Sequence, residues 1–308
     1  MNNVDSLGGR YKKVEVATWT MVMDMRVEKR ALKIIAAASG LGAPDQRCGD
    51  GPEAVLAKLT SRIGELTSTV TPDETQKLTQ FFKRLAGETE KLLKQDARIA
   101  VLSGDHSCAI GTWRGIASAL SGPLGLIWID AHMDAHTPAT SPSSYWHGMP
   151  LAALLGVASD GWEYGNQAAV SAEHLCLIGP RSYETAEFEL LDKLGVRVIT
   201  MDELNRIGFQ AAMAEARRIV TDGTRGYGVS IDLDGLDPSD APGVGSPVVG
   251  GIKAVELFAE LKQLQSDSCL RAIEIAEYNP VLDVEQQTLQ LVLHILELIS
   301  GAEHDVAH

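Results

Sequence analysis

Short apolar runs that stop abruptly at polar clusters recur along this chain, and most are followed by a stretch with helical spacing. This alternation constrains the fold more than any other feature. A strand buried on both faces reads as a continuous apolar run, and a parallel neighbour can be reached only through a long crossover, usually a helix. Strands are expected over 31–39, 99–102, 124–129, 175–179, 196–200, 227–231 and 270–275. Helices are expected over 53–59, 71–94, 109–120, 151–157, 184–194, 207–221, 253–264 and 285–299. The helix from 71 has a clear start signal, with Thr71 as N-cap, Pro72 at the first position and Glu74 reaching back. The pattern predicts an α/β fold with a mostly parallel sheet flanked by helices.

No repeat, linker or composition break interrupts residues 31–308, so one domain is expected there. Residues 1–30 lack a clean period and are expected to form an N-terminal arm or an edge element. The formal net charge of −14 argues against nucleic acid or an anionic membrane as partner. No run reaches the roughly 18 apolar residues of a membrane span. The amino terminus lacks a charged segment followed by a long apolar core, so no secretory signal is read there. Cys48, Cys108, Cys176 and Cys269 are widely spaced without a CxxC pair. They are expected to be reduced and mostly buried, in a cytoplasmic protein.

The polar clusters fall at strand ends, where open α/β sheets place their ligands. The run 124–129 leads into Asp130, His132 and Asp134, spaced i, i+2 and i+4. On an extended backbone their side chains share one face. Two readings stand: a solvated strand exit, or a site for Mn²⁺, Fe²⁺, Co²⁺, Ni²⁺ or Zn²⁺ built from oxygen and nitrogen donors. Asp232 and Asp234 follow the strand over 227–231 at the same i, i+2 spacing. Carboxylates that close repel each other unless a cation neutralises them. Asp237-Pro238 reads as a turn. His106 follows the strand over 99–102, and Glu277 follows the last strand. His147 ends a polar loop over 137–146 that has the character of a binding loop. His106, Asp130, His132, Asp134, Asp232 and Asp234 are too many ligands for one ion with an open position, and they suit two bridged ions. The chemistry implied is metal-assisted hydrolysis.

The motifs GDHS at 104–107, DAHMDAHTP at 130–138 and SIDLDGLDP at 230–238 resemble the ureohydrolase family of arginase, agmatinase and their relatives. The resemblance runs from about residue 40 to 301. It includes GLGAP at 40–44, His147-Gly148, PVVGG at 247–251 and Glu277 with Asn279-Pro280.

The resemblance implies a three-layer α/β/α fold, two Mn²⁺ per subunit with Ni²⁺, Co²⁺ or Fe²⁺ as substitutes, and a homotrimer or homohexamer. It implies one ion held by His106, Asp130, Asp134 and Asp232, and another by Asp130, His132, Asp232 and Asp234. Asp134 would orient the nucleophile, Glu277 would pair with a guanidinium, and His147 would shuttle the proton. The products would be urea and an amine.

The loop between His132 and His147 is more similar to arginase than to agmatinase, and Ser143 matches an arginase serine that meets the substrate α-carboxylate. His136 and Tyr145 stand where arginases usually carry Asn. Ser182 and Glu184, after Arg181, stand where Asp is usual. These residues, with Ser246, are expected at the far end of the substrate. L-Arginine is the first expectation; agmatine, 4-guanidinobutyrate or another guanidino compound is the alternative. A non-catalytic assembly or regulatory subunit, or a related deacetylase-like hydrolase, is the reading from another class. Ser103 stands where the family usually has Gly, with no evident consequence in the sequence.

Overall fold

The apolar runs become the strands of one parallel sheet in the computed structural model, which describes residues 32–73, 77–157 and 167–302. The strands are β1 (Leu32–Ala37), β2 (Glu65–Val70), β3 (Arg98–Ser103), β4 (Gly125–Ile129), β5 (Leu175–Ile178), β6 (Arg197–Ile199), β7 (Tyr227–Asp232) and β8 (Leu270–Ala276). Their order is β2-β1-β3-β8-β7-β4-β5-β6, and every pair is parallel. The helices are α1 (Gly51–Leu56), α2 (Leu78–Leu93), α3 (Ala109–Ala119), α4 (Pro150–Leu154), α5 (Thr185–Leu194), α6 (Met201–Ile207), α7 (Phe209–Thr221), α8 (Ala254–Leu264) and α9 (Gln287–Ser300).

Side chains alternate between two apolar cores. On β4, Ile127 and Ile129 face one, and Leu126 and Trp128 face the other. The first core is closed by α7, α8 and α9 through Ala216, Leu257 and Val292. The second is closed by α2 and α3 through Phe82, Leu85, Ile110 and Trp113. Each such leucine, isoleucine, valine or phenylalanine contributes about 1.5–3 kcal/mol by leaving water. Trp113 is fully buried. Gly228 on β7 gives its ring room, because a Cβ there would lie 1.9 Å from Trp113 Cζ3.

Three expectations change. Strand β2 was not expected, because its sequence ELTSTV is polar and mostly exposed; among the described residues it is an edge strand paired only with β1. The helix expected from Thr71 begins instead at Leu78, with Lys77 as an N-cap that makes no side-chain bond. Residues 71–73 leave β2 without helical structure, and the Thr71 carbonyl accepts a hydrogen bond from Arg84 at 2.7 Å. Glu74 and residues 1–30 lie outside the described residues. The helix expected over 207–221 is α7, but a further helix that was not expected, α6, precedes it, separated from it by Gly208 with φ of 84°. Thr200 caps α6 by accepting from the Glu203 N–H.

Candidate metal centre

The sheet order makes β3, β8, β7 and β4 adjacent at its centre, so the loops after them meet over one spot. His106 follows β3 in a single 3-10 turn, and Asp105 caps that turn. Asp232 ends β7 and caps the turn that carries Asp234. Asp130, His132 and Asp134 follow β4, but not on an extended backbone. The strand ends at Ile129, and Asp134 has a left-handed φ of 50°. The loop, rather than the pleat, brings Asp134 to the others.

His106 Nδ1 lies 3.2 Å from Asp130 Oδ2, 3.1 Å from Asp134 Oδ2 and 3.0 Å from Asp232 Oδ2. His132 Nδ1 lies 3.2 Å from Asp234 Oδ2 and 3.6 Å from Asp130 Oδ1. Two ligand groups result: His106, Asp130, Asp134 and Asp232; and Asp130, His132 and Asp234. Asp130 belongs to both, offering a different oxygen to each. Asp232 falls in the first group, and its Oδ1 accepts the Asp234 N–H at 2.9 Å.

These residues fit divalent ions. Donors about 2.1 Å from one ion and at right angles to each other sit about 3 Å apart. His106 Nδ1 and Asp134 Oδ2 are buried and have no hydrogen-bond partner among the described residues. Four buried carboxylates face two imidazoles, which leaves a strong excess of negative charge.

Protons otherwise take the place of a cation. Burial, and then the Asp130 charge, push Asp134 up to about 7. Burial, Asp234 and Asp130 drive Asp232 well above the carboxylate range. Burial alone would lower His132, yet Asp234 and Asp130 raise it to about 12. Burial likewise opposes the upward shift of His106, which the facing carboxylates of Asp130, Asp134 and Asp232 produce.

A second ring of contacts holds the ligands. The Trp128 ring stacks on His106 at 4.1 Å, and its Nε1 donates to Asp130 Oδ2 at 2.9 Å. Asp105, fully buried, accepts from the N–H groups of Gly42 and Ser107, each at 2.9 Å. The Gly42 carbonyl in turn accepts the His147 N–H at 3.0 Å. A Cβ on Gly42 would come within 2.3 Å of Asp105, so this approach needs glycine. Glu277, with φ of 69°, accepts the His106 N–H on Oε1 at 2.9 Å. That oxygen also lies 3.4 Å from His147 Nδ1. Burial opposes it, but the Glu277 contact raises His147 to about 9.

A cavity of about 240 Å³ opens outward from His132, Asp134, Asp232 and Asp234. His147 and Ser246 line it, and His136, Ser143, Glu184 and Glu187 form its outer part. Tyr145 is exposed at the rim, with its ring 6.2 Å from that of His147. Ser182 and Arg181 stand outside the lining. The Arg181 guanidinium is taken up by backbone carbonyls, including those of Asp234 at 2.8 Å and Val248 at 2.7 Å. That geometry braces the loops after β7 rather than facing a substrate.

Sequence reasoning missed Glu187. It is buried, accepts the Ala135 N–H at 3.0 Å, and lies 3.5 Å from His136 Nε2. Its spacing from Glu184 is that of a capping box, which the sequence carried. Burial, then Glu184, pushes its carboxyl up to about 7.

Residues 35–300 match the family model described as Arginase family. The chain belongs to the arginase family. The arginase of Brevibacillus brevis is 40% identical over 221 residues, covering 71% of this chain and 74% of that protein. The arginase of Bacillus subtilis (strain 168) is 33% identical over 292 residues, covering 88% of this chain and 98% of that one. A crystal structure of arginase from Bacillus subtilis superposes with a TM-score of 0.82 at 32% identity, over 89% of this chain and 100% of that chain. The family member described here is therefore a hydrolase of guanidino C–N bonds built on the arginase fold.

Proposed function

We propose that this chain is an arginase, hydrolysing L-arginine to L-ornithine and urea with two Mn²⁺ per subunit. The observation that carries the reading is the pair of ligand groups sharing Asp130 at the floor of a cavity whose outer part holds carboxylates and a hydroxyl. Arginases at 33–40% identity support the substrate assignment.

His106, Asp130, Asp134, Asp232, His132 and Asp234 would hold two divalent ions, which would supply hydroxide near neutral pH. Asp134 Oδ2, free of any protein hydrogen bond among the described residues, is placed to orient the attacking oxygen. Glu277 uses Oε1 on the His106 N–H and keeps Oε2 for the substrate guanidinium, a planar cation that suits a carboxylate. His147, protonated near neutral pH, is placed to deliver a proton to the leaving amine. Addition of water and loss of the amine give urea and balance the reaction. At the outer end, Ser143 and Ser246 offer hydroxyls to the α-carboxylate, and Glu184 and Glu187 offer carboxylates to the α-ammonium. Residues 31–308 form one catalytic domain in this reading, assembled as a cytoplasmic homotrimer or homohexamer. No described helix is long and apolar enough to cross a membrane.

One observation favours a different guanidino substrate. His136 Nε2 sits 3.0 Å from Glu184 Oε2 and so occupies a carboxylate that the α-ammonium would need. Urea release from L-arginine, agmatine, 4-guanidinobutyrate and guanidine by the Mn²⁺-loaded protein separates the readings. L-Arginine is expected to give the highest kcat/KM. His136→Asn should then lower KM for L-arginine by up to about tenfold, the worth of one charge-assisted hydrogen bond. A preference for guanidine or agmatine would keep the hydrolytic chemistry and overturn the arginase assignment.

A further inference from the structure

Glu274 lies in the middle of β8, fully buried, three residues before Glu277, where the site begins. A carboxylate in such a place is costly unless it is fully hydrogen-bonded. Glu274 is. Its Oε1 accepts from Ser103 Oγ and Thr112 Oγ1, each at 2.8 Å. Its Oε2 accepts from Trp113 Nε1 and Ser230 Oγ, also at 2.8 Å. Ser103 thereby gains a purpose at a position where the family usually has glycine.

The Ser230 contact points onward. A hydroxyl has one proton, and Ser230 gives it to Glu274. Its remaining lone pairs face His106 Nε2 at 3.0 Å. That nitrogen must then carry hydrogen, which leaves Nδ1 as the bare nitrogen. Nδ1 is the atom turned to Asp130, Asp134 and Asp232. The hydrogen bond on one ring nitrogen decides which nitrogen serves a metal.

We propose that Glu274 is a positioning residue of the metal centre. Acting through Ser230, it holds His106 in the tautomer protonated on Nε2 and aims Nδ1 at the ion. The buried negative charge also makes the ring a stronger donor. Asp130 is held separately by Trp128, so the relay serves the ion that His106 holds.

This inference rests on the reading of His106 as a ligand, and one set of full-length variants tests both. Mn²⁺ binding is measured by calorimetry for Ser230→Ala, Glu274→Gln, Glu274→Asp and His106→Asn. Thermal unfolding of each variant checks that it folds. In parallel, the His106 Nε2 proton is followed by NMR in ¹⁵N-histidine protein loaded with diamagnetic Zn²⁺. Ser230→Ala and Glu274→Gln should each weaken one of the two ions about 10–100-fold. Glu274→Asp should restore most of that affinity. The Nε2 proton should exchange slowly in the native protein and rapidly in Ser230→Ala. If Glu274→Gln does not fold, Ser230→Ala carries the test, because it removes one hydroxyl and leaves Glu274 three donors. Native affinity and an unchanged Nε2 signal in Ser230→Ala, with His106→Asn losing an ion, would overturn the relay alone. Two ions retained at native affinity in His106→Asn would overturn the ligand reading and the relay together.

Discussion

Asp130→Asn is expected to leave one tightly bound Mn²⁺ per chain and to lower urea formation about 10³-fold or more. Asp130 is the one residue in both ligand groups. Its Oδ2 faces His106 and its Oδ1 faces His132. Oδ2 also accepts from Trp128 Nε1, and Oδ1 accepts the His132 N–H at 2.7 Å. An asparagine keeps the shape and has one oxygen. Whichever way the amide turns, its NH₂ meets either the Trp128 donor or the His132 N–H and presents hydrogens rather than a lone pair to one of the two ions. A second ion contributes several kcal/mol of charge stabilisation. At about 1.36 kcal/mol per tenfold, that is roughly three orders of magnitude. Metal analysis after gel filtration, with a urea assay on the same sample, checks it. Two retained ions and activity within tenfold of the native protein would show that Asp130 does not bridge.

Metal removal should abolish activity and reverse the pH dependence of stability. In the metal-free protein, Asp134 titrates near 7, against an ordinary carboxylate value of 3.8, because burial and then Asp130 disfavour its charge. The folded form thus holds a proton that the unfolded chain releases, and this advantage fades as the pH rises from about 4 through 7. His132, raised to about 12 by Asp234 and Asp130 against the pull of burial, has the same sign. Its stabilisation is complete below an ordinary histidine value of 6.5 and is lost as the pH climbs toward 12. The stripped protein should therefore melt at a lower temperature at pH 8.5 than at pH 6, whereas added Mn²⁺ should stabilise more at the higher pH, since ligands must lose protons to bind it. Each kcal/mol corresponds to about 2–4 °C in a domain of this size class. Calorimetric melting with and without Mn²⁺ at both pH values is the measurement. A stripped protein equally stable at both, with the same Mn²⁺ increment, would contradict the electrostatic account.

Much of this site was legible in the chain. Aspartates at i, i+2 after apolar runs are costly without a cation, and the runs themselves set a parallel sheet. The geometry departed from the simple reading at Asp134, where a left-handed residue does what an extended strand was expected to do. Strand β2 escaped notice because an exposed edge strand needs no apolar face. Helix α6 escaped notice because it has seven residues and buries only Met201 and Leu204, too few to show a clear apolar stripe. Arg181 was expected near the far end of the substrate, yet its fork serves backbone carbonyls that the folded chain assembles. Glu274 lies inside an apolar run, and no local pattern reveals that Ser103, Thr112, Trp113 and Ser230 will surround it.

The position of bound metal tests the two-ion centre most directly. Crystals grown with Mn²⁺ and measured at the manganese absorption edge should give two anomalous peaks per chain, about 3.5–4 Å apart, with Asp130 between them. One peak should lie against His106, Asp134 and Asp232, the other against His132 and Asp234. A single peak, or density only at the His136, Glu184 and Glu187 cluster, would contradict the two-ion centre.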